Sequence, residues 1–298
     1  MSDAPRAHLI GHAEAAPRSV TLFTRRNPGS MAEAIGRLAA QCSEAGVELR
    51  IPPEEVVKHD LGRIEGASIG ADPDGETDLA LVLGGDGTIL STLRRFSGRD
   101  VPVFAVNFGE IGFLATVERD GLDAGFARAL AGDFDVLALP ALTVSTSGGD
   151  RIAVNDVSFH RRQELRVADL GYSVGGEQLG DVRCDGIVVA TPAGSTGYNL
   201  ANGGPVLAWG VAGYVVSFIA PHTLTARALV VAPDDVLQVV NRSKGEPVDV
   251  TTDGRRVCTL DAEERVELRF RDGMAQLAQV SGASFYRRLR DKFGRLSH

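Results

Sequence analysis

Lysine is almost missing from this chain. Only Lys58, Lys244 and Lys292 occur among 31 basic residues, and none follows a glycine. The Gly-Lys-Ser/Thr phosphate loop therefore cannot be built. Cysteine is equally scarce: Cys42, Cys184 and Cys258 are odd in number, far apart and without a CxxC. This excludes a disulfide scaffold and a cysteine-based zinc site, and suits a reducing compartment. No run reaches ~18 apolar residues, the length of a bilayer span. The opening MSDAPRAHLIGHAEAAPRS has no apolar stretch long enough for a signal-peptide core, so a cytoplasmic protein is expected. Basic charge is outnumbered by 39 acidic residues, leaving a formal charge of −8. That balance argues against nucleic acid or an anionic membrane as the main partner. GxGxxG, HExxH and HRD are absent as well; Gly85-Asp86-Gly87 runs into Thr88-Ile89-Leu90, and His160-Arg161-Arg162 lacks the aspartate. Any nucleotide chemistry must rest on another phosphate device.

What is present is an ordinary globular composition, 44% hydrophobic and 23% charged over 298 residues, long enough for one large domain or two. Residues 1–18 lack any period and read as a flexible tail. From Ser19 strand and helix alternate. Val20 to Phe23 is apolar, Met31 to Ala45 has helical spacing with Ser30 as a candidate N-cap and Gly46 as the stop, and Leu79 to Leu83 is a buried-strand run. Residues 19–133 thus predict a doubly wound α/β domain. Over 134–283 short β runs between turns predict a β-rich domain. Residues 284–298 predict an amphipathic terminal helix packing on the fold, with Phe285, Leu289 and Phe293 about a turn apart and Arg287, Arg288 and Arg290 on a solvated face.

Three segments carry chemistry. Leu83-Gly84-Gly85-Asp86-Gly87-Thr88 follows a buried strand; bare glycine backbone lets N–H groups converge on phosphate, helped by the positive end of the next helix. Asp86 in such a loop can take a proton from an attacking hydroxyl or help hold a divalent metal. The bland alternative is a tight turn with Asp86 capping the helix. In Asp185 to Leu200 a β run ends in Thr191-Pro192-Ala193-Gly194-Ser195-Thr196-Gly197-Tyr198, offering amides and hydroxyls to a sugar or phosphate and an aromatic face to a base. It misses a GxSxG elbow because Ala193 holds the first glycine position, and it also reads as a simple Gly/Ser turn. Asn155-Asp156 stands in the middle of the β run Arg151 to His160, otherwise apolar at Ile152, Ala153, Val154 and Val157; the two point to opposite faces, so at least one of them needs a designated partner, with a cross-strand bond the bland alternative. His222 reads as structural, and Asp253-Gly254 as a hairpin turn.

In order along the chain these segments resemble the NAD kinase family (ATP-NAD kinases, including polyphosphate/ATP-NAD kinases). The resemblance spans about Ser19 to Arg295 and rests on GGDGT at 84–88, NFGEIGFLA at 107–115, ND at 155–156, DGIVVATPAGSTGYNLANGGP at 185–205 and APHTLTARALV at 220–230. GGDGT alone is shared with diacylglycerol-type lipid kinases and phosphofructokinases; the later motifs are more specific. The family implies an α/β N-terminal domain, a β-rich C-terminal domain and an active site between them. It implies transfer of the γ-phosphoryl group of ATP, or of polyphosphate, to the 2′-hydroxyl of the adenosine ribose of NAD, with a divalent metal, most readily Mg2+. By that resemblance Asp86 matches the general base, Gly87 lies beside the dinucleotide, and Gly84 and Gly85 face the phosphate donor. Asn155, Asp156 and Asp185 match NAD contacts, Arg166 and Arg183 fall at polar or basic contact positions, and Thr196, Gly197, Tyr198, Asn199, Leu200 and Ala201 match the loop lining the NAD pocket. Ala220 matches a small residue that approaches NAD, often from a neighbouring subunit, and the family forms homodimers and homotetramers. Ala193 replaces the usual threonine of TPTGS, Gly197 the alanine of STAY, and Arg227-Ala228 the usual Arg-Pro.

Two other readings compete. A lipid or sugar kinase would share the GGDGT loop, but the TPAGSTGY segment and the acidic balance count against it. A non-catalytic NAD(P) sensor would need a damaged base, and Asp86 is intact.

Overall fold

The computed structural model describes residues 9–13, 15–25, 28–109, 112–162, 167–282 and 284–294. They fall into two compact units, Met1–Ala138 with Ala275–His298, and Leu139–Met274.

In chain order the first unit contains β1 (Leu9–His12), β2 (Ser19–Thr24), α1 (Pro28–Ala45), β3 (Glu48–Ile51), α2 (Pro53–His59), β4 (Ala67–Ile69), β5 (Leu79–Gly84), α3 (Asp86–Arg95), β6 (Pro102–Asn107), β7 (Val117–Glu118) and α4 (Leu122–Ala131). Its strands β4-β3-β2-β5-β6 lie in that order and are all parallel. In β5 every residue is buried, as its unbroken apolar run predicts for a central strand. Leu79, Leu81 and Leu83 join one core with Met31, Ile35 and Leu38 of α1 and Phe126 and Leu130 of α4, following the period-2 facing of a strand and the 3–4 spacing of a helix. Gly46 closes α1 at φ +66, the left-handed stop that glycine adopts freely. That helix begins at Pro28, so Ser30 lies inside its first turn and not ahead of it. The chain turns one way from β2 through β3 to β4 and the other way from β5 to β6. The carboxyl ends of β2 and β5 therefore flank a topological switch point, where open α/β sheets leave their ligand crevice.

The expected flexible tail over 1–18 holds a strand: Leu9, Gly11 and His12 pair antiparallel with Leu137, Val136 and Asp135 of β8 (Asp135–Thr146). β8 leads into the second unit. There β9 (Gly149–Ala153), β10 (Asp156–Arg161), β11 (Ala168–Val174), β12 (Glu177–Cys184), β13 (Gly186–Ala190), the short helix α5 (Tyr198–Ala201), β14 (Tyr214–Ile219), β15 (Leu229–Val231), β16 (Leu237–Asn241), β17 (Val248–Thr252) and β18 (Arg255–Leu260) precede the long β19 (Arg265–Gln279). One antiparallel sheet runs β15-β14-β13-β10-β17-β18. Strands β12, β11, β16 and the start of β19 pair antiparallel beside it in sequence, and Phe159, Ile187, Val189, Tyr214, Leu170, Val239 and Leu268 share one core.

Residues 275–282, expected with the β-rich domain over 134–283, belong to the first unit, where Gln276 and Leu277 pair in parallel with Pro102 and Val103. α6 (Phe285–Phe293) follows, capped by Ser284 Oγ accepting the Arg287 amide. The rings of Phe285 and Phe293 lie 5.7 and 6.1 Å from that of Phe113. The expected solvated arginine face is corrected at one position: Arg288 is half-buried and donates to the carbonyls of Phe113 and Ala115. Among the described residues no helix is long and apolar enough to cross a membrane.

Because Leu81 is fully buried at the centre of the parallel sheet, Leu81→Ala is expected to lower unfolding free energy by about 2–5 kcal/mol, read from the midpoint of a urea titration.

Candidate active site

In the first unit β5 ends at Gly84 and the chain turns into α3. A Cβ on Gly84 would lie 2.8 Å from the Thr88 side chain, and one on Gly109 would lie 3.2 Å from the Gly85 Cα. Glycine is thus demanded at 84 by the Thr88 side chain of the same turn and at 109 by close backbone approach to the 84–87 loop. Nothing lies within 4 Å of a Cβ built on Gly87. Gly85 is the N-cap of α3 and makes no side-chain cap bond; Thr88 and Ile89 amides donate to the Gly85 carbonyl.

Asp86 does not cap its own helix. Its Oδ2 accepts the Phe113 amide at 2.7 Å and its Oδ1 the Leu114 amide at 3.1 Å. A Cβ on Gly112 would stand 2.9 Å from Asp86 Oδ1, which explains the glycine ahead of Phe113. Each carboxylate oxygen keeps a further lone pair. Asn107, closing β6, orders the same loop: its Oδ1 accepts the Gly109 amide at 2.8 Å and its Nδ2 donates to Glu118 at 2.8 Å. Glu110 and Ile111 of the 107–115 motif lie outside the described residues. Sequence reasoning passed over Arg25, the residue after β2. Its amide donates to the Leu83 carbonyl at 3.0 Å and its Nη1 to the Phe108 carbonyl at 2.5 Å, putting a guanidinium at the switch point beside the glycine loop. The only advance signal was its place at a strand end.

In the second unit the β run expected over Arg151 to His160 breaks at Val154 and Asn155, between β9 and β10. The cause is Asp253, which had read as a turn residue. Its carboxylate accepts the amides of Val154 at 3.1 Å, Asn155 at 2.8 Å and Asp156 at 3.2 Å, diverting three successive donors from a strand ladder. Asp253 itself sits at φ +46 in the left-handed region that Asp tolerates better than most residues. The Asn155 carbonyl accepts the Thr191 amide at 2.9 Å, and a Cβ on Gly194 would fall 2.0 Å from that carbonyl oxygen. Gly194 is therefore where the 191–197 loop packs on Asn155.

Around this contact the sequence-predicted residues gather. Asn155 Oδ1 is buried without a hydrogen-bond partner. Asp156 is 9% exposed; burial first, then the charge of Asp253, pushes its carboxyl up to about 7. Tyr198 is 37% exposed, and its ring stacks on His160 with centroids 5.6 Å apart and planes 17° off parallel. Burial, Asp156 and Asp185 raise the Tyr198 phenol above its ordinary range. His160 was missed as a site residue; burial holds its imidazole below the ordinary value, and its Nε2 lies 2.8 Å from Ser158 Oγ.

Asp185 pairs with Arg161 at 2.7 Å, and its amide donates to the Ile219 carbonyl, next to Ala220 in the left-handed region at φ +43. Arg183 is exposed and joins His222, Asp169, Arg242 and Lys244 around a separate open pocket. Asn199 faces inward, its Nδ2 donating to the carbonyls of Ser195 and Pro205 at 2.9 Å each. Gly197 and Ala201 are exposed, and Thr196 and Leu200 half-buried, on the same turn. Arg166 lies outside the described residues. Ser195 Oγ donates to the Pro192 carbonyl at 2.7 Å, as a turn hydroxyl does.

Two family models match the chain: the ATP-NAD kinase N-terminal domain over residues 41–134 and the ATP-NAD kinase C-terminal domain over residues 154–280. The NAD kinase of Syntrophotalea carbinolica is 34% identical over 254 residues, 84% of this chain and 89% of its own. That of Nitratidesulfovibrio vulgaris is 35% identical over 284 residues, 92% and 96% of the two chains. Among solved structures, yeast NADH kinase complexed with NADH superposes with a TM-score of 0.84 at 21% identity, covering 98% of this chain and 93% of its own. An NAD kinase from Archaeoglobus fulgidus in complex with ATP gives 0.70 at 22% identity, covering 93% and 98%. These two share the fold.

The Asp156 carboxyl, raised to about 7, stays protonated in the folded chain while the unfolded chain ionises near pH ~4. Folded stability therefore falls as pH rises between those values and levels off above the upper one. Asp156→Asn abolishes this loss, so the variant gains Tm relative to the parent on going from pH 5 to pH 8. A Tm difference that does not change with pH contradicts the raised carboxyl.

Proposed function

The chain belongs to the NAD kinase family, whose members are kinases, and from that premise we propose that it moves the γ-phosphoryl group of ATP, or the terminal phosphoryl group of polyphosphate, to the 2′-hydroxyl of the adenosine ribose of NAD, forming NADP. The observation that carries the chemical assignment is the Asp86 carboxylate, pinned by two amides at the end of a buried strand beside an open Gly87. The 2′-hydroxyl gives its proton to Asp86 as its oxygen bonds to the γ-phosphorus. The bond from that phosphorus to the bridging oxygen breaks, ADP leaves with the electron pair, and Asp86 later returns the proton to solvent. Gly84 and Gly85 expose backbone to the donor phosphates, and Arg25 supplies a positive charge at the same strand ends.

On the acceptor side, Asn155 Oδ1 and Asp156 offer acceptors to a ribose or amide, Tyr198 a ring face to a base, and Asp185, Thr196, Gly197, Leu200 and Ala201 the surrounding wall. Asn199 acts from behind by holding the turn. Ala220, next to Ile219 whose carbonyl accepts the Asp185 amide, belongs to the outer edge of this set, whereas Arg183 faces the separate pocket.

A divalent cation fits as a companion of the donor. Among the described residues no three His, Cys, Asp or Glu side chains come together, and Mg2+ commonly uses one or two carboxylates plus substrate phosphates and water. The glycine loop would hold it through those phosphates, with Asp86 the carboxylate at hand; when bound it neutralises phosphate charge. We place the protein in the cytoplasm as a homodimer or homotetramer. Leu224, Leu229 and Val230, 91, 37 and 48% exposed at and before the edge strand β15, are apolar side chains open to such assembly.

Asp86→Asn is expected to cut NADP formation by at least ~100-fold, the scale of general-base catalysis, with NAD affinity by calorimetry unchanged. Near-normal turnover in this variant removes Asp86 from the base role.

A further inference from the structure

A carboxylate hung on two loop amides is only as well placed as the loop. Residues 112–116 contribute no strand or helix of their own, yet their carbonyls are held as firmly as their amides. Arg288 Nη1 donates to the Phe113 carbonyl at 2.7 Å and to the Ala115 carbonyl at 2.5 Å, while its Nη2 donates to Gln279 Oε1. Gln279 Nε2 in turn reaches the Leu114 carbonyl at 3.4 Å. Three successive carbonyls thus face the Arg288–Gln279 pair, and the Phe113 ring is lodged against Phe285 and Phe293 of the same terminal helix.

One peptide group joins the two ends of this arrangement. The Phe113 carbonyl that accepts from Arg288 and the Leu114 amide that donates to Asp86 Oδ1 belong to the same peptide plane. A guanidinium on the oxygen side polarises the N–H on the other, strengthening its hold on a carboxylate. Burial pulls the Arg288 guanidinium down to about 10, against the opposing charges of Asp86 and Glu118, so it remains charged at neutral pH.

We propose that Arg288 is a positioning residue for phosphoryl transfer, fixing and polarising the Phe113–Leu114 peptide that presents Asp86. The terminal helix is then part of the catalytic apparatus of the first unit and not only a cover for its core. The proposal rests on Asp86 being the base.

The test is a double-mutant cycle in the full chain with Arg288→Gln, Arg288→Lys and Asp86→Asn, reading kcat and the KM values for NAD and ATP. Arg288→Gln is expected to lower kcat by at least about tenfold, towards the ~10²-fold that a 1 Å misplacement costs, with both KM values within about twofold of the parent. Arg288→Lys recovers part of the loss, since an ammonium keeps the charge but not the planar fork. Combined with Asp86→Asn, Arg288→Gln costs nothing more, because both act through one group. Losses that multiply across the two positions overturn the proposal. So does an unchanged kcat in Arg288→Gln beside an inactive Asp86→Asn, which leaves the base assignment standing. Full turnover in Asp86→Asn instead removes the base and this proposal together. If Arg288→Gln fails to fold by circular dichroism, the same cycle run with Arg288→Lys decides.

Discussion

Two backbone amides, those of Phe113 and Leu114, hold the Asp86 carboxylate, and much of the first unit is arranged so that they can. The buried strand β5 delivers Asp86 to the carboxyl edge of the sheet, and β6 delivers Asn107, which orders the loop by binding the Gly109 amide. Gly109 and Gly112 are small because side chains there would crowd the Gly85 Cα and the Asp86 carboxylate itself. A phosphoryl-transfer site needs placement and charge more than covalent help. On the function proposed above, a carboxylate fixed by the main chain beside bare glycine backbone would meet that need with few specialised side chains.

The second unit uses the same device for a different end. Asp253 gathers three amides and thereby breaks what would otherwise be one long strand. The break lets Asn155 meet Thr191, and sets Asp156 in a buried position where its carboxyl is raised to about 7. Stacked Tyr198 and His160 then supply a flat aromatic wall whose outer face is partly open.

The α/β layer, the β-rich second half and the motifs themselves were readable in the sequence because their signals are local. A buried strand is an apolar run, a phosphate loop is a cluster of glycines, and a hairpin core alternates. What could not be read were the partners of those motifs. Phe113 and Leu114 lie 27 and 28 residues from Asp86, Asp253 lies 98 from Asn155, and Arg288 lies 175 from Phe113. No periodicity links residues so far apart, so Asp253 read as a turn, Arg288 as solvated surface and Arg25 as nothing in particular. The strand at Leu9–His12 was missed for a related reason, since its only support is pairing with β8 far along the chain. The break at Asn155 was misread because the apolar residues on either side of Asn155-Asp156 pass for one continuous strand; the competing acceptor on Asp253 decides otherwise.

For Asp86 to act as the base proposed above, the 2′-hydroxyl of the adenosine ribose must meet its carboxylate while the loop amides still hold it. A crystal structure of the full chain with NAD bound tests this most directly. The 2′-oxygen is expected about 2.6–3.2 Å from an Asp86 oxygen, with the Phe113 and Leu114 amides unmoved. A complex in which the adenosine ribose lies elsewhere, or in which Asp86 leaves those amides to reach it, would contradict a base held in place by the main chain.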